Sequence, residues 1–251
     1  MTAALSAEGR SVLESLVQDA RVWVEDDLAE TLEGRFGIHS SGRVEAVESL
    51  ALSVDGLAVR SDLVGVVEFL RSEGDSESGS VERLVREAAF THVNRLVAVR
   101  VAEAVGLLPE TVGGGLGSQG FRDFSELAPT VASNEWERFG FFVRLCADEL
   151  AADVPALFDP RNPLLELELT GPVLERVVEA IGATPGEVWS APDALGWTYQ
   201  FFNTGEERRE MREESAAPRT SRELAVRNQF FTPSYVVDFL VHNGLGAYLA
   251  A

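Results

Sequence analysis

Residues 80–108 read SVERLVREAAFTHVNRLVAVRVAEAVGLL, with Pro109 immediately after. Apolar residues recur along the whole stretch at helical rather than alternating spacing, which predicts a long helix instead of a strand. Ser80 can serve as its N-cap, Glu82 is an acidic residue in the first turn, and Pro109 ends it. This segment sets the expectation of a mainly α-helical chain.

The flanking segments agree. Between Ser6 and Gly34 the residues Val12, Leu16, Val17, Val22, Val24 and Leu28 recur at roughly helical spacing with acidic residues in the gaps, predicting one or two amphipathic helices. Residues Val44 to Leu70 read similarly, with Gly56 and Gly65 as interruptions, and GDSESGS at 74–80 forms a polar linker. Further on, TVGGGLGSQG at 111–120 is a glycine-rich loop. Helices are expected at 134–152, capped by Asn134, and at 172–182, opened by Pro172. Proline and glycine punctuate 183–192. No strand series and no fixed-period repeat is visible.

Composition narrows the chemistry. With 251 residues, 45% of them hydrophobic and 25% charged, the chain can bury a sizeable core as an ordinary globular protein. Cys146 is the single cysteine, which excludes an internal disulfide and a cysteine metal cluster and fits a reducing cytoplasm. The start, MTAALSAEGR, lacks a signal-peptide pattern, and no apolar run reaches the ~18 residues of a membrane helix, so a cytoplasmic location without membrane insertion is expected. All 21 basic residues are arginines. The absence of lysine removes Schiff-base, Walker-type and PD-(D/E)xK nuclease chemistry. A formal charge of −20 opposes nonspecific DNA binding, because such binding rests on cations neutralising phosphates.

Several short patterns are weaker than they look. Gly115-Leu-Gly117-Ser-Gln-Gly120 has dinucleotide-loop spacing, but a helix and Pro109 precede it where a strand is needed, so an ordinary flexible loop is expected. His39, His92 and His242 are too scattered for a metal motif, and the reading is core or surface histidine. Cys146 has no nearby histidine to activate it and reads as a buried helix residue. Asn162-Pro163-Leu164 begins like the NPP[YF] tetrapeptide of amino-methyltransferases, but leucine follows and no aromatic does; it reads as a turn. Residues 205–227 hold six arginines and six glutamates. Ion-paired helix and loop is the plainer reading of that segment, a phosphate-facing arm the sharper one.

The C-terminal quarter is more specific. Leu195-Gly196-Trp197-Thr198-Tyr199-Gln200-Phe201-Phe202 is followed, after the charged segment, by Asn228-Gln229-Phe230-Phe231-Thr232-Pro233 and SYVVDFLVHNGLG. Together with Ala88-Ala-Phe-Thr-His-Val-Asn94-Arg95-Leu-Val-Ala-Val-Arg100, these segments resemble the N-terminal region of adenine-specific (N6) DNA methyltransferases of phage-defence systems. The BREX type is the nearest pattern, with DISARM and fused restriction-modification methyltransferases similar to it. The resemblance spans about 80–250.

That resemblance implies S-adenosylmethionine as cofactor and double-stranded DNA as substrate of the full enzyme, with defence-system proteins as further possible partners. In such enzymes the QxFTP element, motif X, cups the methionine end of the cofactor, so Gln229, Phe230, Phe231, Thr232 and Pro233 become candidate cofactor-binding residues. Thr232 as N-cap and Pro233 in the first helical turn suit an anion facing free amides; a plain Thr-Pro helix start is the blander alternative. The implied organisation is an N-terminal helical segment over 1–73, a helical domain over 80–190, and 191–251 leading into an α/β Rossmann-like methyltransferase domain. The family's DPxCGSG loop and NPP[YF] motif are absent from the sequence, so no catalytic residue and no metal ligand is assigned, and the chain alone is not expected to methylate. The other readings are an acidic helical interaction module and a DNA mimic without catalytic role.

Overall fold

A computed structural model describes residues 4–203, 205–218, 221–228, 232 and 234–250. Among them every regular element is helical, and the one β-type pairing is an isolated antiparallel bridge between Ile38 and Val44. The mainly α expectation therefore holds; the described part of 191–251 is helical as well.

Helix α1 (Ala7–Phe36) begins where the Ser6 side chain accepts a hydrogen bond from Gly9 N at 3.0 Å and ends at Gly37, whose φ of 63° suits glycine. One continuous helix covers 7–36. Its buried stripe is Leu13, Leu16, Val17, Ala20, Val24, Leu28, Leu32 and Phe36, a three-and-four repeat. Val12 and Val22, grouped with that stripe in the sequence reading, are exposed instead. Helix α2 (Val54–Ser72) takes Gly56 into its first turn and Gly65 into its middle, so neither glycine interrupts it.

Helix α3 (Glu77–Ala104) corrects the predicted bounds. It starts earlier than Ser80, because Ser76 is the N-cap and accepts from Gly79 N at 3.0 Å. Its end precedes Pro109: Gly106 has φ 77° and turns the chain first. α3 is the central helix and packs on α1 along its length, with buried Leu84, Ala88, Ala89, Leu96 and Val99.

The 111–120 segment is a packed turn, not an open loop. Gly115–Gly117 form a 3-10 turn leading to α4 (Gln119–Leu127), and Thr111, Val112, Gly115 and Ser118 are buried. A Cβ on Gly120 would lie 2.9 Å from Phe142 Cζ, and one on Gly182 would lie 3.0 Å from Gly113 O. These glycines permit close approach of neighbouring elements. Asn134 caps α5 (Glu135–Leu150), accepting from Trp136 N and Glu137 N at 2.8 and 3.3 Å.

After the short α6 (Pro155–Phe158), Asn162 caps the 3-10 turn Pro163–Glu166, as the turn reading of DPRNP requires. Helix α7 (Gly171–Ala183) is tied to α1 by Asp27, whose carboxylate accepts from Thr170 N at 2.9 Å and from Thr170 Oγ1. The short α8 (Gly186–Trp189) buries Trp189 completely. Helix α9 (Ala194–Phe202) then lies against both α1 and α3. A contiguous apolar core runs from Leu5 to Phe202.

Candidate functional site

The segment singled out by sequence, 195–202, is α9, and its aromatic residues are locked into the helical body. Asp193, just before the helix, joins α9 to the segment ahead of α1: its Oδ1 accepts from Leu5 N at 2.9 Å, and its Oδ2 from Trp197 Nε1 at 3.0 Å. Trp197 stacks on Phe201 at 5.3 Å, and the Arg10 guanidinium lies over the indole at 5.1 Å. On the opposite side Phe90 of α3 meets Tyr199 and Phe202 edge-on at 5.3 and 5.0 Å. Thr198 is buried and returns its hydroxyl to Ala194 O. The α9 side chains thus act as packing, and the AFTHVNRL segment supplies Phe90 to the same cluster.

An ion-pair network closes the C-terminal end of α9. Arg21 of α1 donates to Phe202 O at 2.7 Å and to both carboxylate oxygens of Glu207, on α10 (Gly205–Glu214). Burial alone would lower the Arg21 pKa, yet the hydrogen bonds it donates to Glu207 and the charge of Glu25 leave it raised. Arg86 of α3 adds a contact to Glu207 at 3.4 Å. Arg208 donates to the Asn203 and Gln200 carbonyls. Arg212 donates to Arg227 O, and Arg227 to Met211 O, which clasps α10 to α11 (Ser221–Asn228). These arginines cap carbonyls and pair with glutamates, the plainer reading of the 205–227 segment.

Of the predicted cofactor residues, Gln229, Phe230, Phe231 and Pro233 lie outside the described residues. Thr232 is described, exposed and without regular structure, just before α12 (Ser234–Val241). A π-helical turn (His242–Gly246) and α13 (Ala247–Ala250) continue α12, and these pieces pack mainly on one another. They expose a row of large apolar side chains: Phe239 is 64% exposed, Leu240 61%, Tyr248 80% and Leu249 75%. A soluble chain rarely leaves such a run open to water unless something covers it.

The remaining candidates behave as structural groups. His92 is held neutral, its pKa pushed down to about 4 by burial, with Nε2 2.8 Å from Leu167 O. His39 sits between Glu33 and Glu45, which raise its pKa. Burial pushes the Cys146 thiol up to about 11, so it is a poor nucleophile. Among the described residues no group of three or more His, Cys, Asp or Glu side chains could hold a metal ion. No described helix is long and apolar enough to cross a membrane.

Two open cavities were not legible in the sequence. One, of about 700 Å³, lies between the C-terminal half of α1 and the start of α3 and is rimmed by Glu25, Asp26, Glu30, Glu33 and Glu82. The other, of about 420 Å³, lies among α3, α5 and α7 and is lined by residues that include His92, Arg95 and Trp136. Their linings come from segments far apart in sequence, so no local spacing announces them.

Comparison with known proteins gives a distant relation. The chain is 23% identical over 243 residues to the adenine-specific methyltransferase PglX of Lacticaseibacillus casei (strain Zhang). The match covers 83% of this chain and 20% of that protein, so the chain spans about a fifth of its relative's length. No family model and no solved structure matches.

Proposed function

We propose that this chain is the N-terminal helical part of an S-adenosylmethionine-dependent DNA adenine N6-methyltransferase of phage defence or restriction-modification. The observation that carries this reading is the similarity to a methyltransferase over 83% of the chain. The order of its motifs supports it too: α9, the charged connector, and then the segment ending in Thr232-Pro233.

On this reading residues 191–251 lead into an α/β catalytic domain, and motif X forms one wall of the cofactor pocket. The helical body would orient that wall. Asp193 and Arg21 anchor the two ends of α9 to Leu5 and α1, fixing where the connector departs. The exposed Phe239, Leu240 and Leu249 would be covered by the catalytic domain, which accounts for their cost in water. DNA would be held mainly outside this chain, since its charge of −20 repels phosphates.

The test is the genomic open reading frame that contains these residues. Expressed in a host free of other adenine methyltransferases, it should place N6-methyladenine at one sequence context, read by single-molecule sequencing. The 251-residue chain alone should place none. An open reading frame that encodes no DPxCGSG-type loop after Ala251 and leaves the host DNA unmodified would overturn the proposal.

A further inference from the structure

The larger cavity, of about 700 Å³, is an open groove between the C-terminal half of α1 and the first turns of α3. Its volume is that of a binding cleft rather than of a packing defect. The floor is apolar: Ala29 from α1, Ile38 from the turn after it, and Val81 and Val85 from α3. Gly34 and Ser78, small residues of the two walls, keep the groove open, and a Cβ on Gly34 would meet nothing within 4 Å.

The rim around this floor carries an excess of one charge. Asp26, Glu30 and Glu33 follow one another on α1 at spacings of four and three residues, which puts them along one helix face over about 10 Å. Glu25 and Glu82 complete the rim. Arg86 is the one cation in the lining, and Glu25, Glu82 and Glu207 take it up at 3.7, 3.5 and 3.4 Å. Glu33 is paired with His39. Asp26 and Glu30 are exposed, and among the described residues no cation lies within ion-pair distance of either. Like charges one helical turn apart repel, a cost that a cationic partner removes.

We propose that this groove docks a basic amphipathic helix of a partner protein. The apolar residues of that helix lie on Ala29, Val81 and Val85, and its arginines or lysines, at the same four- and three-residue spacing, meet Asp26, Glu30 and Glu33. The apolar floor supplies the contact area, and the acidic rim selects the charge and sets the register. The site goes beyond the methyltransferase reading and does not depend on it: it needs neither S-adenosylmethionine nor DNA.

Fluorescence anisotropy of a labelled synthetic peptide titrated with the full chain tests it. The probe is a helical peptide of about 15 residues with a leucine stripe and three arginines at that spacing, and its control carries glutamine in place of each arginine. The arginine peptide should bind roughly tenfold more tightly, as expected of three exposed ion pairs. Asp26→Asn combined with Glu30→Gln should remove most of that preference, whereas Glu179→Gln combined with Glu187→Gln should leave it intact. Ala29→Trp, which fills the groove without changing its charge, should weaken the binding of both peptides. All five positions are exposed, so these variants keep the fold. Equal affinity for the two peptides, or equal losses from the two neutralised pairs, would reduce the rim to the diffuse acidity of a chain of charge −20 and overturn the proposal. Binding untouched by Ala29→Trp would overturn it as well. A chain that sediments as a dimer, becomes monomeric with Ala29→Trp and ignores the arginine peptide would assign the groove to a second copy instead.

Discussion

Arg21 and Glu207 are 186 residues apart in sequence and form a two-pronged ion pair, Nη2 to Oε1 at 2.6 Å and Nη1 to Oε2 at 3.0 Å. The same guanidinium donates to the last carbonyl of α9, so one side chain joins α1, α9 and α10. Arg21→Met would leave the Phe202 carbonyl without this donor and Glu207 with the more distant Arg86. Breaking this largely buried pair should cost about 2–3 kcal/mol, read as a lower urea midpoint with an unchanged slope. A loss below about 0.5 kcal/mol would show the pair to be solvated like a surface bridge.

The glycines of 115–120 give a test that separates packing from phosphate binding. A methyl group on Gly120 would meet Phe142 Cζ at 2.9 Å and Glu110 O at 3.1 Å, whereas one on Gly117 would meet nothing within 4 Å. Gly120→Ala should therefore destabilise by about 1–3 kcal/mol, and Gly117→Ala should be close to neutral. Thermal unfolding of the two variants checks the contrast. A dinucleotide loop would instead show comparable stability for both and a lost nucleotide affinity.

Much of the architecture was legible because burial follows helical periodicity, but the errors are instructive. Val12 and Val22 are as apolar as Val24, yet they fall off the stripe that Leu13, Ala20 and Phe36 complete. Buried Arg21 and Asp27 occupy that stripe and are invisible to a hydrophobic pattern, since their partners Phe202, Glu207 and Thr170 lie far away in sequence. Sequence alone does not fix the start of α3, because Ser76 and Ser80 are both competent caps and Gly79, between them, is a poor helix former. The resemblance of 229–233 to motif X rests on a family pattern alone, for Thr-Pro by itself is an ordinary helix start. The smaller cavity had no sequence signal, being assembled from α3, α5 and the segment before α7.

Acid should weaken the fold partly through His92. Its folded pKa is about 4 against 6.5 as a free group, lowered first by burial and then by Arg95, while the Leu167 carbonyl and Asp27 oppose the shift. Because the unfolded state takes up the proton first, the stability is complete above pH 6.5 and falls as pH drops from 6.5 toward 4. The loss has an upper bound of roughly 3 kcal/mol on the usual conversion of pKa to free energy. Urea unfolding of wild type and His92→Gln at pH 7 and pH 4.5 isolates it. The wild type should lose more stability than the variant on acidification, and parallel losses would assign the acid sensitivity to carboxylates alone.

The cofactor assignment turns on Thr232, which is exposed and stands immediately ahead of α12. If motif X cups the methionine end of S-adenosylmethionine, the Thr232 hydroxyl and the free amides at the helix start meet the cofactor carboxylate. In the full-length protein that the proposed function requires, Thr232→Ala would remove one hydrogen bond to a charged group, about 1–3 kcal/mol. Cofactor affinity should then fall by about one to two orders of magnitude, at ~1.4 kcal/mol per tenfold, with the fold retained. Thr232→Ser keeps the hydroxyl and should recover most of the loss, which a purely steric effect of the missing methyl would not allow. Calorimetric titration of cofactor into the three proteins reads this directly: equal affinities would reduce Thr232 to a helix cap and withdraw the cofactor role from this segment.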